Sequence, residues 1–265
     1  MARDDRMLQI VGGGRMGEAL LGGLLAAGRS AESLAVVEVF AARREQLEGA
    51  YPGVTVAEAP VAAPDALLAV KPGDVPAAAA AVADAGAERA LSVAAGVTTR
   101  AIEEASGGRL RVVRAMPNTP ALIGAGASAI AAGSAAGEED LDWAESVLGA
   151  VGVVVRVPEK QLDAVTGVSG SGPAYVFLVA EALAEAGVLN GLPRDVAETL
   201  AFQTLVGASR LVAEGDAGAA ELRAAVTSPG GTTAAGLHEL ERHAVRAAFL
   251  DAVTAATRRS RELGG

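Results

Sequence analysis

One turn near the start of the chain limits the fold more than any other feature. Gly12-Gly-Gly-Arg-Met-Gly17 follows the apolar run Leu8–Val11 and leads into a helical pattern over Met16–Ala27. Three glycines spaced G-x-G-x-x-G between a strand and a helix meet three separate demands. Gly12 allows the tight turn, Gly14 lets a ligand approach the backbone, and Gly17 lets helix and strand pack closely. The helix N-terminus, with Arg15 and Met16 in its first turn, offers unpaired N–H groups to an anion such as a pyrophosphate. A tight strand-to-helix turn that holds no ligand is the plainer reading of the same residues.

The rest of the N-terminal half suits this turn. Strands are expected at Leu8–Val11, Leu34–Val39, Val54–Val56, Ala66–Val70, Ala90–Val93, Arg111–Arg114, Ser128–Ala132 and Val151–Val157. Helical patterns lie between several of them, at Met16–Ala27, Ala42–Gly49, Val75–Ala85, Thr99–Ala105 and Glu138–Leu148. Apolar strands alternating with helices imply a parallel sheet covered on both faces. After Pro158 the strand signals stop. Helices are expected at Asp163–Gly167, Ala174–Ala186, Pro193–Glu214, Ala217–Ala225, Thr233–Leu240 and Ala244–Leu263, with Gly and Pro at their boundaries. The expected architecture is α/β, with a Rossmann-type dinucleotide-binding domain over 1–158 and an all-helical domain over 159–265.

Composition removes whole classes of chemistry. Hydrophobic residues make up 51% of the chain and charged residues 20%, too apolar for a disordered chain. There is no cysteine and there are two histidines, so disulfides, a thiol nucleophile, a Cys-based zinc site and a histidine-rich metal site are excluded; no metal is expected. A net charge of −10 with 3% aromatics argues against nucleic acid as a partner. The polar start Met1–Arg6 does not read as a secretory signal, and Met7 is an alternative initiator. The apolar stretch Ala174–Leu189 contains Glu181 and Glu185 and reads as too short for a bilayer. A cytoplasmic protein with no membrane partner is the expectation.

Several side chains fall where an open α/β sheet binds ligands, beyond the C-terminal ends of its strands. Glu38 lies about 20 residues after the glycine turn, where a carboxylate accepts hydrogen bonds from ribose hydroxyls and repels a 2′-phosphate. Arg43 and Arg44 follow; they either hold a 2′-phosphate or form the solvated face of the next helix. Lys71, one of two lysines in the chain, follows Val70 and precedes Pro72. The stiff run Arg114-Ala-Met-Pro-Asn-Thr-Pro120 presents Asn118 and Thr119, for a ligand or simply as a turn. In the helical half, Gly167–Tyr175 carries Ser169 and Ser171 before a long helix. Val226-Thr-Ser-Pro-Gly-Gly-Thr-Thr233 joins two glycines and the hydroxyls of Ser228, Thr232 and Thr233 to a helix start, a cradle suited to a carboxylate. Thr232 or Thr233 as an N-cap is the competing reading. His238 and His243 lie on later helices and receive no role.

Together these motifs resemble the pyrroline-5-carboxylate reductases, over essentially the whole chain. The runs that carry the resemblance are Gly12–Gly17, Ala69-Val-Lys-Pro72, Ser92-Val-Ala-Ala-Gly-Val97, Arg114–Pro120, Asp163–Tyr175 and Ser228-Pro-Gly-Gly-Thr-Thr233. The first is shared by dinucleotide binders in general, whereas the last two are specific. The resemblance implies reduction of the cyclic imine 1-pyrroline-5-carboxylate to L-proline by hydride from NADPH or NADH. It implies a helical domain that forms an intertwined homodimer, and a larger ring built from dimers. It places the cofactor against Gly12, Gly14, Arg15, Met16, Gly17, Glu38, Val70, Lys71, Pro72, Ala94 and Asn118. It places the substrate against Ser171, Asn118, Ser228, Gly230, Gly231 and Thr232, with the Ser228–Thr233 loop supplied by the partner subunit. Thr233 matches the threonine that hydrogen-bonds the ring nitrogen and is the candidate catalytic residue.

Glu38 stands where NADPH-preferring members often have a small or hydroxyl residue, which points toward NADH. A related Rossmann dehydrogenase acting on a hydroxy acid, or an imine reductase acting on another small carboxylate, is the alternative enzyme; the hydroxy-acid enzymes rely on a lysine in the helical domain, and residues 161–265 contain none. A non-catalytic nucleotide-binding module is the alternative from another class; the intact Ser228–Thr233 loop argues against it.

Overall fold

The computed structural model describes residues 6–264; the expectation for the first residues of the chain lies outside them. Eight strands form one sheet: β1 (Leu8–Val11), β2 (Leu34–Val37), β3 (Thr55–Ala57), β4 (Asp65–Leu68), β5 (Arg89–Ser92), β6 (Arg111–Met116), β7 (Gly126–Ala132) and β8 (Gly152–Arg156). Their order is β3-β2-β1-β4-β5-β6-β7-β8. The order reverses between β1 and β4, so a crevice opens beyond their C-terminal ends.

Side chains alternate between two cores, as the period of two in a strand requires. Leu8, Ile10, Leu34, Val36 and Leu67 face one core with Leu20, Leu21, Leu24 and Trp143. Val11, Val37, Ala66 and Leu68 face the other with Val75, Ala79, Val82 and Ile102. The helices behind the first core include α1 (Arg15–Ala26), α2 (Ala41–Ala50) and α5 (Glu138–Gly149); behind the second lie α3 (Val75–Asp84) and α4 (Thr99–Ala105). Gln9 and Arg89, polar and buried in the strands, are paired. The Gln9 amide exchanges two hydrogen bonds with the backbone of Val61, at 3.0 and 3.1 Å. Arg89 meets Asp65 in a two-point contact at 2.7 and 3.0 Å, and its guanidinium lies 4.3 Å from the centre of the Trp143 ring.

Two expectations about the sheet need correction. The sheet is not wholly parallel: β7 runs antiparallel to β6, and β8 pairs parallel with β7. The link from β6 to β7 holds only a 3-10 turn at Thr119–Ile123, with no crossover helix to carry the chain back, so it reverses direction. The second and fourth strands also end earlier than expected, at Val37 and Leu68. Glu38 and Lys71 therefore sit beyond the ladder.

The chain divides into two compact units, one running through Ser171 and joined by the residues from Ala255 onward, the other Gly172–Thr254. The first unit reaches past Pro158 because α6 (Leu162–Val165) packs on the sheet: Leu162 is buried against Ala129 and Ala131, with Met116, Val157 and Val165 around it. A single wide turn, Thr166–Gly170, follows α6 and is closed by the Ser171 N–H donating to the Thr166 carbonyl at 2.8 Å. This is the i→i+5 bond of a π-bulge, a feature frequent at functional sites.

The second unit contains α7 (Gly172–Leu189), α8 (Arg194–Glu214), α9 (Ala219–Ala225), α10 (Thr232–Arg242) and the start of α11 (Val245–Leu263). α7 and α8 pack through small residues. Ala184, Ala197 and Ala201 are buried, and a Cβ on Gly187 would stand 2.9 Å from that of Ala197. Larger apolar side chains of α7, Val176, Phe177, Leu178, Leu183 and Leu189, are exposed in the single chain. The helical stretch is continuous over Glu159–Leu189, so by length and composition alone it is long enough to cross a membrane. The helical stretch that carries the apolar run Ala174–Leu189 begins well before Ala174.

Candidate active site

The glycine turn has the geometry its spacing demands. Gly12 has φ +105°, and a Cβ there would stand 2.6 Å from the carbonyl oxygen of Ala69. Its N–H donates to the Val37 carbonyl at 2.8 Å, tying the turn to β2. A Cβ on Gly17 would stand 2.0 Å from the Gly12 oxygen, so α1 lies directly against the end of β1. Gly14 differs from both, since a Cβ there would meet nothing within 4 Å. The first bond of α1 is Glu18 N–H to the Gly14 carbonyl, so the N–H groups of Arg15, Met16 and Gly17 have no partner within the helix. Open space above Gly14, beside a helix N-terminus, fits a dinucleotide phosphate.

A cavity of about 620 Å³ lies beside this turn. Gly12, Gly14, Glu38, Val70 and Lys71 line it, together with Phe40, Glu58 and Asp74. Glu38 is buried, and both its oxygens are engaged: Oε2 accepts from the Gly13 N–H and Oε1 from the Phe40 N–H, each at 3.0 Å. Those bonds fix the carboxylate at the cavity wall and leave it further lone pairs.

The two arginines after Glu38 are neither a solvated face nor turned toward a ligand. Arg43 Nε donates to the Gly13 carbonyl at 2.8 Å, and its guanidinium pairs with Glu18. Arg44 Nη1 donates to the carbonyls of Glu38 and Val39 at 2.9 and 2.8 Å, and Nη2 pairs with Glu58 at 3.3 Å.

A second cavity, of about 430 Å³, brings Pro72 and Ser171 together with Gly96 and Thr166. Its remaining wall is the end of α11, with Arg259 and Ser260. Ser260 is buried and donates to Asp163 Oδ1 at 2.7 Å, which anchors that helix end beside α6.

The other expected residues lie elsewhere. Arg15 is exposed and lines a separate cavity with Glu18 and Tyr51. Burial and the neighbouring Glu18 carboxylate push the Tyr51 hydroxyl above its ordinary pKa. Met16 packs against the first core, and Ala94 is buried within the second. Asn118 is buried with both ends of its amide committed: Nδ2 donates to the Ser169 carbonyl at 3.1 Å and Oδ1 accepts from the Ala127 N–H at 2.8 Å. It braces the π-turn against the start of β7.

In the second unit, the Gly231 N–H donates to the Ser228 carbonyl at 3.1 Å, closing a turn over Pro229 and Gly230 (φ +70°). Proline followed by a positive-φ glycine is the signature of a type II turn. A Cβ on Gly231 would stand 2.5 Å from Ser228 Oγ. Gly231 is the N-cap of α10, so Thr232 and Thr233 are its first two helical residues and neither caps it. The first helical bond runs from the Ala235 N–H to the Gly231 carbonyl, which leaves the N–H groups of Thr232, Thr233 and Ala234 for an anion.

The sequence reading missed Phe40, Glu58 and Asp74. Phe40 is one of four phenylalanines, stands two residues after Glu38 and is 72% exposed, a flat apolar wall for the cavity. Its scarcity was the available signal. Glu58 and Asp74 carry no local signal.

Known proteins match both halves of the chain. Residues 159–263 match the family model described as pyrroline-5-carboxylate reductase dimerisation, and residues 7–96 match one described as NADP oxidoreductase, coenzyme F420-dependent. The pyrroline-5-carboxylate reductase of Synechocystis sp. is 47% identical, with 97% of this chain and 98% of the relative covered. That of Mycobacterium tuberculosis is 45% identical, with 97% and 96% covered. The solved reductase of Coxiella burnetii superposes with a TM-score of 0.94 at 36% identity, over 99% of this chain and 100% of the other. The pyrroline carboxylate reductase of Plasmodium falciparum, solved with NADP bound, gives 0.86 at 28% identity over the full length of both. The chain belongs to the pyrroline-5-carboxylate reductase family.

Proposed function

We propose that the protein reduces 1-pyrroline-5-carboxylate to L-proline with NAD(P)H, the last step of proline biosynthesis. The observation that carries this reading is the Ser228–Thr233 turn, an open anion cradle at the start of α10 inside a matched reductase dimerisation region. The bound nicotinamide supplies the hydride. The chain's part is to hold and orient. The N–H groups at the start of α1 take the pyrophosphate, and the cavity past Glu38 takes the adenosine. Lys71 and Pro72 sit where the chain leaves β4, between the two cavities. The substrate carboxylate is met by the Thr232–Ala234 N–H groups, and the Thr233 hydroxyl hydrogen-bonds the ring nitrogen and aligns the imine. A hydroxyl is a weak acid, so this role suits an imine that arrives already protonated.

NADH fits the cavity better than NADPH. A 2′-phosphate adds a charge of about −1.5 to −2. Glu38, Glu58 and Asp74 face that space against Lys71, while Arg43 and Arg44 are held by other partners.

The same reading includes a homodimer, supported by the exposed apolar face of α7 and by the matched dimerisation model, and beyond it a ring of dimers. It includes a cytoplasmic enzyme of small molecules, with neither nucleic acid nor membrane as partner.

The test is an absorbance assay of the purified protein with 1-pyrroline-5-carboxylate and each nucleotide. Oxidation of NADH with the higher kcat/KM is expected, and turnover with neither removes the assignment. Thr233→Ala should lower kcat roughly a hundredfold while nucleotide affinity holds. Unchanged kcat would show that the hydroxyl does not touch the reacting ring.

A further inference from the structure

Glu58 stands just beyond the end of β3 and lines the cavity whose wall Glu38 also forms. It is the partner of Arg44 Nη2, at 3.3 Å. Arg44 itself stands behind the wall, with Nη1 shared between the carbonyls of Glu38 and Val39. All three groups bonded to this guanidinium belong to residues that line the cavity. The arginine is therefore one side-chain rearrangement from the space where the ribose of a bound dinucleotide would meet Glu38.

We propose that Glu58 is a selectivity gate for the nucleotide: its carboxylate holds Arg44 out of the cavity and so withholds a cation from a 2′-phosphate. The inference rests on the cofactor reading above and adds a residue to it. Glu58 acts in two ways. It repels a phosphate directly, because it lines the cavity with a negative charge. It also occupies the guanidinium face that would otherwise offer a forked, charge-assisted contact to phosphate. The side chain of Glu58 is 73% exposed and that of Arg44 20%. An ion pair this exposed is weak, so loss of the carboxylate releases Nη2 at little cost to the fold and leaves only the two carbonyl bonds of Nη1 to be exchanged for a phosphate. Glu38 cannot hold the Arg44 guanidinium with its carboxylate, because those oxygens are bonded to the Gly13 and Phe40 N–H groups and take part in the turn itself.

The test is equilibrium binding, read by quenching of protein fluorescence or by calorimetry, with NADH and NADPH on the full-length protein. Glu58→Gln should tighten NADPH about tenfold and leave NADH within about twofold, with an unchanged melting temperature. Adding Arg44→Gln should remove most of the gain and leave only the share due to direct repulsion. Unchanged NADPH affinity in Glu58→Gln overturns the gate alone and leaves the reductase reading intact. A gain that survives Arg44→Gln in full also overturns it, because repulsion by Glu58 then suffices without the arginine. A native protein that binds neither nucleotide removes the cofactor reading, and the gate with it.

Discussion

Gly14 and Gly17 sit three residues apart in one turn, yet their glycines answer to different things. Gly17 is required by the fold, since a Cβ would stand 2.0 Å from the Gly12 oxygen and backbone would have to move. Gly14 has φ −72° and empty space around its missing Cβ, so the free protein tolerates a side chain there. Gly17→Ala should therefore destabilise the protein by about 1–3 kcal/mol, whereas Gly14→Ala should melt within a degree or two of the native protein. Gly14→Ala should nonetheless weaken NADH binding at least about tenfold, because its methyl fills the space meant for the pyrophosphate. Thermal melting and nucleotide titration on the two variants check this, and the reverse pattern would mean that Gly14 has a structural role. The spacing alone assigned these roles to the glycines, because each is local to one turn. Glu38 was legible as a position because the end of the second strand falls about 20 residues after such a turn. The partners of Arg43 and Arg44 were not, because Gly13, Glu18 and Glu58 reach them only through the pairing of β1, β2 and β3.

At the scale of elements, all eight strands were readable from apolar runs, and their ends were the weak point. The direction of β7 was unreadable because its strand pattern is the same whichever way it pairs; only the short link at Thr119–Ile123 decides it. Asn118 shows the same limit at a site. Its place in a stiff loop suggested a ligand contact, but its partners are the Ser169 carbonyl, 51 positions away, and the Ala127 N–H. Asn118→Ala leaves both backbone groups without that partner in a buried place and should cost about 1–3 kcal/mol. Because the brace holds the π-turn ahead of Ser171, KM for 1-pyrroline-5-carboxylate should rise several-fold while NADH affinity changes little. A drop in melting temperature with unchanged KM would make Asn118 a strut with no bearing on the substrate.

For the whole molecule the question is what covers the second unit. Its buried core is small: Ala184, Ala197 and Ala201 are the buried hydrophobics on α7 and α8, while Phe177 and Leu178 are 61% and 65% exposed. A helix pair with so little of its own apolar surface buried needs another surface to complete its core. The sequence foretold helices here but not which of their faces stays open, because α7 is apolar around most of its circumference. A second copy of the chain is the occupant that the matched dimerisation region supports. Phe177→Glu places a charge in the middle of that face and costs the single chain little, since the side chain already stands in solvent. At an interface core the same change should cost about 2 kcal/mol or more. Light scattering on a sizing column should show the native protein at twice the chain mass or a multiple of it, and Phe177→Glu shifted toward the single chain. Reductase activity should fall with the dimer, because the Ser228–Thr233 loop is read as serving the partner's nicotinamide, while NADH binding at the glycine turn persists. Full activity in a monomeric variant would mean that one chain completes its own site.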